Sequence, residues 1–238
     1  MQRLLKDLNL YPVSLGFSCH TKVYIEELLA TRMIRQPFDW IGCPMWSICE
    51  LLKNDFKDFT VPEKLKPLKR FIGDHKDYLT HIDYNIVFVH DYGKQFHHIS
   101  DETHKKVSED YVRRVERWNE LLNSRNHILF IRLETDGRKR IQRPQFDRPG
   151  AEYDYLKEFS QILQAKDVKF SIVYLSTTTP RGYDAENHIV TVQYATVSPD
   201  YIVGGDEIKS IIQNNIGFIA KYLFDEAKAY GSTPMVNA

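Results

Sequence analysis

The amino-acid sequence predicts an α/β fold: a Rossmann-like, mostly parallel sheet of about five or more strands with helices on both faces. Two observations carry this. Short apolar runs at Asn85–His90, His127–Arg132 and Val168–Leu175 have the composition of strands buried on both faces. Between them lie longer stretches whose apolar residues recur at helical spacing. The 238 residues, 42% hydrophobic and 27% charged, suit one α/β domain over residues 1–230, with 231–238 as a flexible tail.

Taken in order, Tyr11–Gly16 is the first expected strand. A helix follows over about 21–32, with Ile25, Leu28, Leu29 and Met33 on one face, and a second covers Met45–Lys53. Phe56–Asp83 contains Pro62 and Pro67 and reads as loops and short helices. After the strand at 85–90, Ser108 is the expected N-cap of a helix running to about Asn123, with Tyr111, Val115, Trp118 and Leu122 as its buried stripe. The strand at 127–132 precedes a helix over about 151–165 that buries Tyr155, Leu156, Phe159, Ile162 and Leu163. Strands are expected at 168–175 and 188–194. The last helix, about 206–230, carries Ile208, Ile211, Ile212, Ile219, Tyr222 and Leu223.

Charge and cysteine usage exclude several classes. Lys plus Arg equals Asp plus Glu, at 32 each, so no global field attracts nucleic acid or an acidic membrane. No apolar run approaches the ~18 residues of a membrane span. Asp7 and Asn9 interrupt the N-terminal apolar run, which does not read as a signal peptide. Three cysteines without a CxxC spacing fit a reducing, cytoplasmic setting. The fingerprints GxGxxG, GxxxxGK[ST], GxSxG and HExxH are absent. Nothing in the sequence sets an oligomeric state.

In open α/β sheets ligands bind beyond the carboxyl ends of strands. The candidate positions are therefore 17–20, 90–92, 132–136, 176–179 and 195–198. Ser14, Gly16, Phe17, Ser18, Cys19 and His20 join a strand to a helix start, where outward N–H groups favour an anion or a Cys19 thiolate. A buried, inert Cys19 is about as expected on position alone. Asp39 lies between Phe38 and Trp40, an apolar setting in which a carboxylate needs a partner or a task; bonding loop N–H groups is the plainer use. His90 and Asp91 put an imidazole and a carboxylate at a strand end, suited to general-base chemistry, although adjacent side chains of a strand face opposite ways. His97, His98 and His104 read as surface residues, and no metal ligand set is expected. Arg113, Arg114 and Arg117 read as a solvated face, as does most of the basic loop holding Arg138, Lys139, Arg140, Arg143 and Arg148. Arg132, followed by Glu134, directly continues a buried strand and could grip a diphosphate. Ser176, Thr177 and Thr178 offer hydroxyls to a sugar or phosphate, against plain turn chemistry; Gly204–Asp206 reads as a turn and helix cap.

The ordered set Ser14-Leu-Gly-x-x-Cys19, Pro37-Phe-Asp-Trp40, His90-Asp91, Arg113-Arg-x-x-Arg117-Trp and Phe130-Ile-Arg132 resembles a domain family labelled "putative papain-like cysteine peptidase". The resemblance spans about Pro12 to Thr179. That family occurs in bacteria and large DNA viruses, often close to glycan-assembly enzymes. The resemblance implies Cys19 as nucleophile and His90 as its base, with Asp91 or Asp39 as orienter.

The repeated β–α reading, the strand-end polar groups, the arginines and the family's neighbourhood lead instead to a first-ranked expectation. It is a nucleotide-sugar glycosyltransferase of surface-glycan synthesis, with a UDP- or GDP-linked donor, a sugar or glycan acceptor and no required metal. There the 14–19 turn and Arg132 hold the diphosphate, Asp39 or His90 takes the acceptor proton, and Phe38 and Trp40 face sugar rings. The cysteine hydrolase ranks second. A non-catalytic nucleotide- or carbohydrate-binding module ranks third.

Overall fold

Leu129, Ile131 and Leu133 alternate with Ile128, Phe130 and Arg132 along one strand, and every one of the six is buried. Period-2 geometry sends the two sets to opposite faces. Each face must then be covered, and the rest of the chain does this. In the computed structural model the described residues are 1–17, 19–29, 32–68, 78–88, 90–92, 100–134, 151–195 and 205–229. The helices are α1 (Gln2–Asp7), α2 (Cys19–Leu29), α3 (Met45–Lys53), α4 (Asp101–Leu122), α5 (Glu152–Gln164), α6 (Gly205–Asn214) and α7 (Ile216–Ala229). The strands are β1 (Leu10–Ser14), β2 (Ile41–Gly42), β3 (Leu65–Leu68), β4 (Tyr78–His81), β5 (Ile86–Phe88), β6 (His127–Leu133), β7 (Phe170–Ser176), β8 (Gly182–Asp184) and β9 (Ile189–Gln193).

The larger sheet has the order β1-β6-β7-β9-β8. Its first four strands are parallel, and β8 closes one edge antiparallel to β9. This is the mixed α/β, mostly parallel architecture with flanking helices that the apolar runs predict. One face carries Ile128, Phe130, Ile172 and Tyr174 into a cluster with α3, α4 and α5. The other carries Leu129, Ile131, Val173 and Val190 into a cluster with α1, α2, α6 and α7.

Several elements differ from expectation. Part of Phe56–Asp83, read as loops and short helices, forms β3 and β4 of a second, antiparallel sheet with the order β2-β5-β4-β3. Pro67 lies within β3, an outer strand of that sheet, where a missing N–H is tolerated. The strand expected at 85–90 is β5, shorter and belonging to this second sheet. Helix α4 begins a full two turns earlier than expected. Ser100, not Ser108, is its N-cap, accepting the Thr103 N–H at 3.2 Å, and Asp101 and Glu102 place negative charge in the first turn. Ser108 sits inside the helix with its Oγ 2.9 Å from Thr60 Oγ1. The last helix is two, broken at Asn215, whose side chain donates back to Ile211 O at 2.8 Å.

Among the described strands the parallel order β1-β6-β7-β9 follows the chain without reversing. A crevice at a reversal of strand order, the usual nucleotide site of a doubly wound sheet, is therefore not formed by them. Ser18, His97, His98, the basic loop at 138–148, Asp136, residues 196–198, Gly204 and the tail 231–238 lie outside the described residues. No described helix is long and apolar enough to cross a membrane.

Candidate active site

Strand β1 ends at Ser14, whose hydroxyl accepts the Gly16 N–H at 3.2 Å. Gly16 and Phe17 then take left-handed φ values of 73° and 69° and reverse the chain into α2. Gly16 is required twice over. Its φ disfavours a side chain, and a Cβ would lie 2.8 Å from Phe38 O. The turn thus rests directly on the 38–43 segment. Cys19 opens α2, half-buried, with the N-terminal end of the helix favouring negative charge beside it. His20 follows, also half-buried.

The 37–40 turn is fixed from within. Asp39 is fully buried, with Lys22 Nζ 2.9 Å from its Oδ2 and the Gln36 N–H donating to the same oxygen at 2.8 Å. Burial pushes the Asp39 carboxyl up, against the opposing pull of Lys22, the Gln36 N–H and Arg114. Lys22 is itself only 3% exposed at its side chain and stands three residues after Cys19, on the same side of α2. Phe38 is buried edge-to-face against Trp118, with centroids 5.0 Å apart. Its ring belongs to the core. Trp40, at φ 67°, is partly exposed and meets the exposed His90 ring edge-on at 5.3 Å.

Residues 37–40 therefore bridge two places. Asp39 is tied to the first turn of α2, and Trp40 touches His90. Through them a chain of contacts runs from α2, which Cys19 opens, by way of Lys22, Asp39 and Trp40 to His90, two residues beyond β5. Asp91 is engaged elsewhere. Its carboxylate takes Arg114 Nη2 at 2.8 Å and the Tyr111 hydroxyl at 2.9 Å, both from α4. Arg114, expected on a solvated face, is buried. Arg117 donates twice to Arg35 O, at 3.0 and 3.3 Å.

The other strand-end residues are absorbed internally. Arg132 is wholly buried and donates to Glu152 Oε1 at 2.7 Å, Leu15 O at 2.6 Å and Cys43 O at 2.9 Å. Glu134 is also wholly buried and accepts from the Tyr174 hydroxyl, Ser176 Oγ, the Thr177 N–H and hydroxyl, and the Thr178 hydroxyl. Ser176 Oγ in turn accepts the N–H groups of Thr178 and Thr179 at 3.1 and 2.7 Å. The hydroxyls after β7 hold a turn onto Glu134.

The three cysteines differ sharply. Cys43 is fully buried and its thiol is pushed up to about 11, chiefly by burial. Cys49 is buried, raised further by burial, and donates to Tyr155 O at 3.2 Å. Only Cys19 has partial access to solvent. Among the described residues no group of three or more His, Cys, Asp and Glu side chains is arranged to hold a metal ion.

Sequence reasoning missed Lys22 and Glu152, the burial of Arg114, and the bond of the buried Tyr111 to Asp91. The apolar surroundings of Asp39 signalled a buried partner without saying which cation supplies it. For Arg114 the signal was its place beside Tyr111 and Trp118 on the buried stripe of the helix.

A family model described as "Putative papain-like cysteine peptidase (DUF1796)" matches residues 11–178. "Uncharacterized protein R408" of Acanthamoeba polyphaga mimivirus is 26% identical over 137 residues, covering 51% of this chain and 60% of the viral protein. The chain thus spans less than two thirds of that curated relative's length. The family match overturns the expectation of a nucleotide-sugar glycosyltransferase, and with it the UDP- or GDP-linked donor. The physical reason agrees: Arg132, assigned there to the diphosphate, spends its donors on Glu152, Leu15 and Cys43.

Proposed function

The chain belongs to the "Putative papain-like cysteine peptidase" family, and from that premise we propose that it is a cysteine hydrolase cleaving an acyl bond, with Cys19 as nucleophile and His90 as general base. The observation that carries this reading is the contrast among the thiols. Cys19 is partly exposed at a helix N-terminus, whereas Cys43 and Cys49 are buried with raised thiols.

In this reading His90 takes the Cys19 proton, and the sulfur attacks the substrate carbonyl carbon. The tetrahedral oxyanion is met by N–H groups at the start of α2. It collapses to a thioester as the leaving amine takes the proton back from His90. Water, deprotonated by the same imidazole, then releases the acid and restores the thiol. Trp40, edge-on to the ring, orients His90. Asp91, held by Arg114 and Tyr111, fixes the backbone next to it.

Hydrolysis of a peptide mixture by the purified protein, read by mass spectrometry, tests the assignment. Cys19→Ser should abolish turnover, and His90→Ala should lower it by roughly 10²–10⁴, the usual contribution of a general base. Undiminished cleavage by Cys19→Ser would remove Cys19 from the mechanism.

A further inference from the structure

Residues 33–36 belong to no helix or strand, yet charged side chains bond the backbone of all four. The Met33 N–H donates to Glu26 Oε1 at 3.1 Å, and Lys22 Nζ donates to Ile34 O at 3.3 Å. Arg117 donates to Arg35 O at 3.0 Å, and the Gln36 N–H donates to Asp39 Oδ2 at 2.8 Å. Such pins cost solvation and side-chain freedom, and they add to the packing of Met33 and the burial of Gln36 in fixing the segment.

What this rigid stretch displays is unusual. Ile34 is 61% exposed, one of the two large apolar residues most open to water among the described residues. Arg32 and Arg35 flank it, both exposed, and no carboxylate among the described residues pairs with either guanidinium. The Arg35 guanidinium stands 5.8 Å from the centre of the Trp40 ring, which packs perpendicular to the His90 ring. The display therefore adjoins the proposed base.

We infer that residues 32–36 form a preorganised reading edge for acidic peptide substrates, in which Arg32 and Arg35 take a carboxylate-bearing side chain and Ile34 an apolar neighbour. Guanidinium forks match carboxylate geometry, and a pinned backbone spares the ordering cost on binding. This rests on the cysteine-hydrolase reading for the nature of the substrate, but recognition is separable from cleavage.

The experiment measures binding of dye-labelled short peptide pools by the Cys19→Ala protein, using fluorescence anisotropy. One pool has Glu at a fixed position beside an apolar residue, and its partner has Gln there. The Glu pool should bind about tenfold tighter at low salt, as expected for two partly exposed charge pairs, and the advantage should fade as salt rises. Arg32→Glu with Arg35→Glu, both at exposed positions, should turn the preference towards a Lys-bearing pool. Equal binding of the Glu and Gln pools, or an unchanged preference in the charge-reversed protein, would overturn the inference. Acid-selective binding together with intact Cys19→Ser turnover would sink the nucleophile assignment and leave this one standing.

Discussion

Arg132 shows how a single side chain joins parts of the chain that local sequence keeps apart. Its three donors reach the residue just after β1, the first of the two residues between β2 and α3, and the first residue of α5. Both ions of the Arg132–Glu152 pair are out of water, at 0% and 2% side-chain exposure. Breaking such a pair leaves an uncompensated charge inside, which typically costs about 3–5 kcal/mol. Arg132→Met should therefore destabilise the protein by that amount in urea unfolding. Combining it with Glu152→Leu should recover part of the loss, because the stranded carboxylate is gone. A loss below about 1 kcal/mol for Arg132→Met would show that water reaches the pair.

At the scale of elements, the start of the parallel sheet carries a pH dependence of its own. His127 opens β6, is 5% exposed, and lies 2.9 Å through Nε2 from Ser171 Oγ on β7. Burial holds the imidazole down to about 4. Between pH 6.5 and about 4 the unfolded chain binds a proton that the folded chain refuses, so stability rises with pH across that window. Acidification through the window should remove up to about 3 kcal/mol, and His127→Asn should flatten that part of the profile. A wild-type curve already flat between pH 4 and 6.5 would show that the ring is protonated in the fold. Element boundaries were the least legible feature of the sequence. Ser100 and Ser108 are both acceptable caps, and the earlier one lets the helix carry Val107 into the core as well as Tyr111 and Trp118.

Across the whole molecule, two apolar clusters enclose the larger sheet, and the cysteines record which parts are sealed. Cys43 and Cys49 lie in the cluster shared with the second sheet, whereas Cys19 lies at the start of α2. A thiol reagent should modify one cysteine in the native protein and all three in denaturant, counted by mass spectrometry. Native labelling of Cys43 or Cys49 at the rate of Cys19 would mean that the cluster opens readily, and the contrast behind the proposed nucleophile would vanish.

The sequence by itself determined the parallel core, the flanking helices and the Gly16 turn beside Cys19. Periodicity and continuous apolar runs are local properties, and burial on two faces follows from them directly. Only the tertiary structure decided the antiparallel second sheet, the Lys22–Asp39 pair, the capture of Asp91 by Arg114 and the clamp of Arg132 on Leu15 and Cys43. A charged residue shows in its own sequence that it needs a partner. Which partner it meets depends on where distant segments return, and no local pattern encodes that.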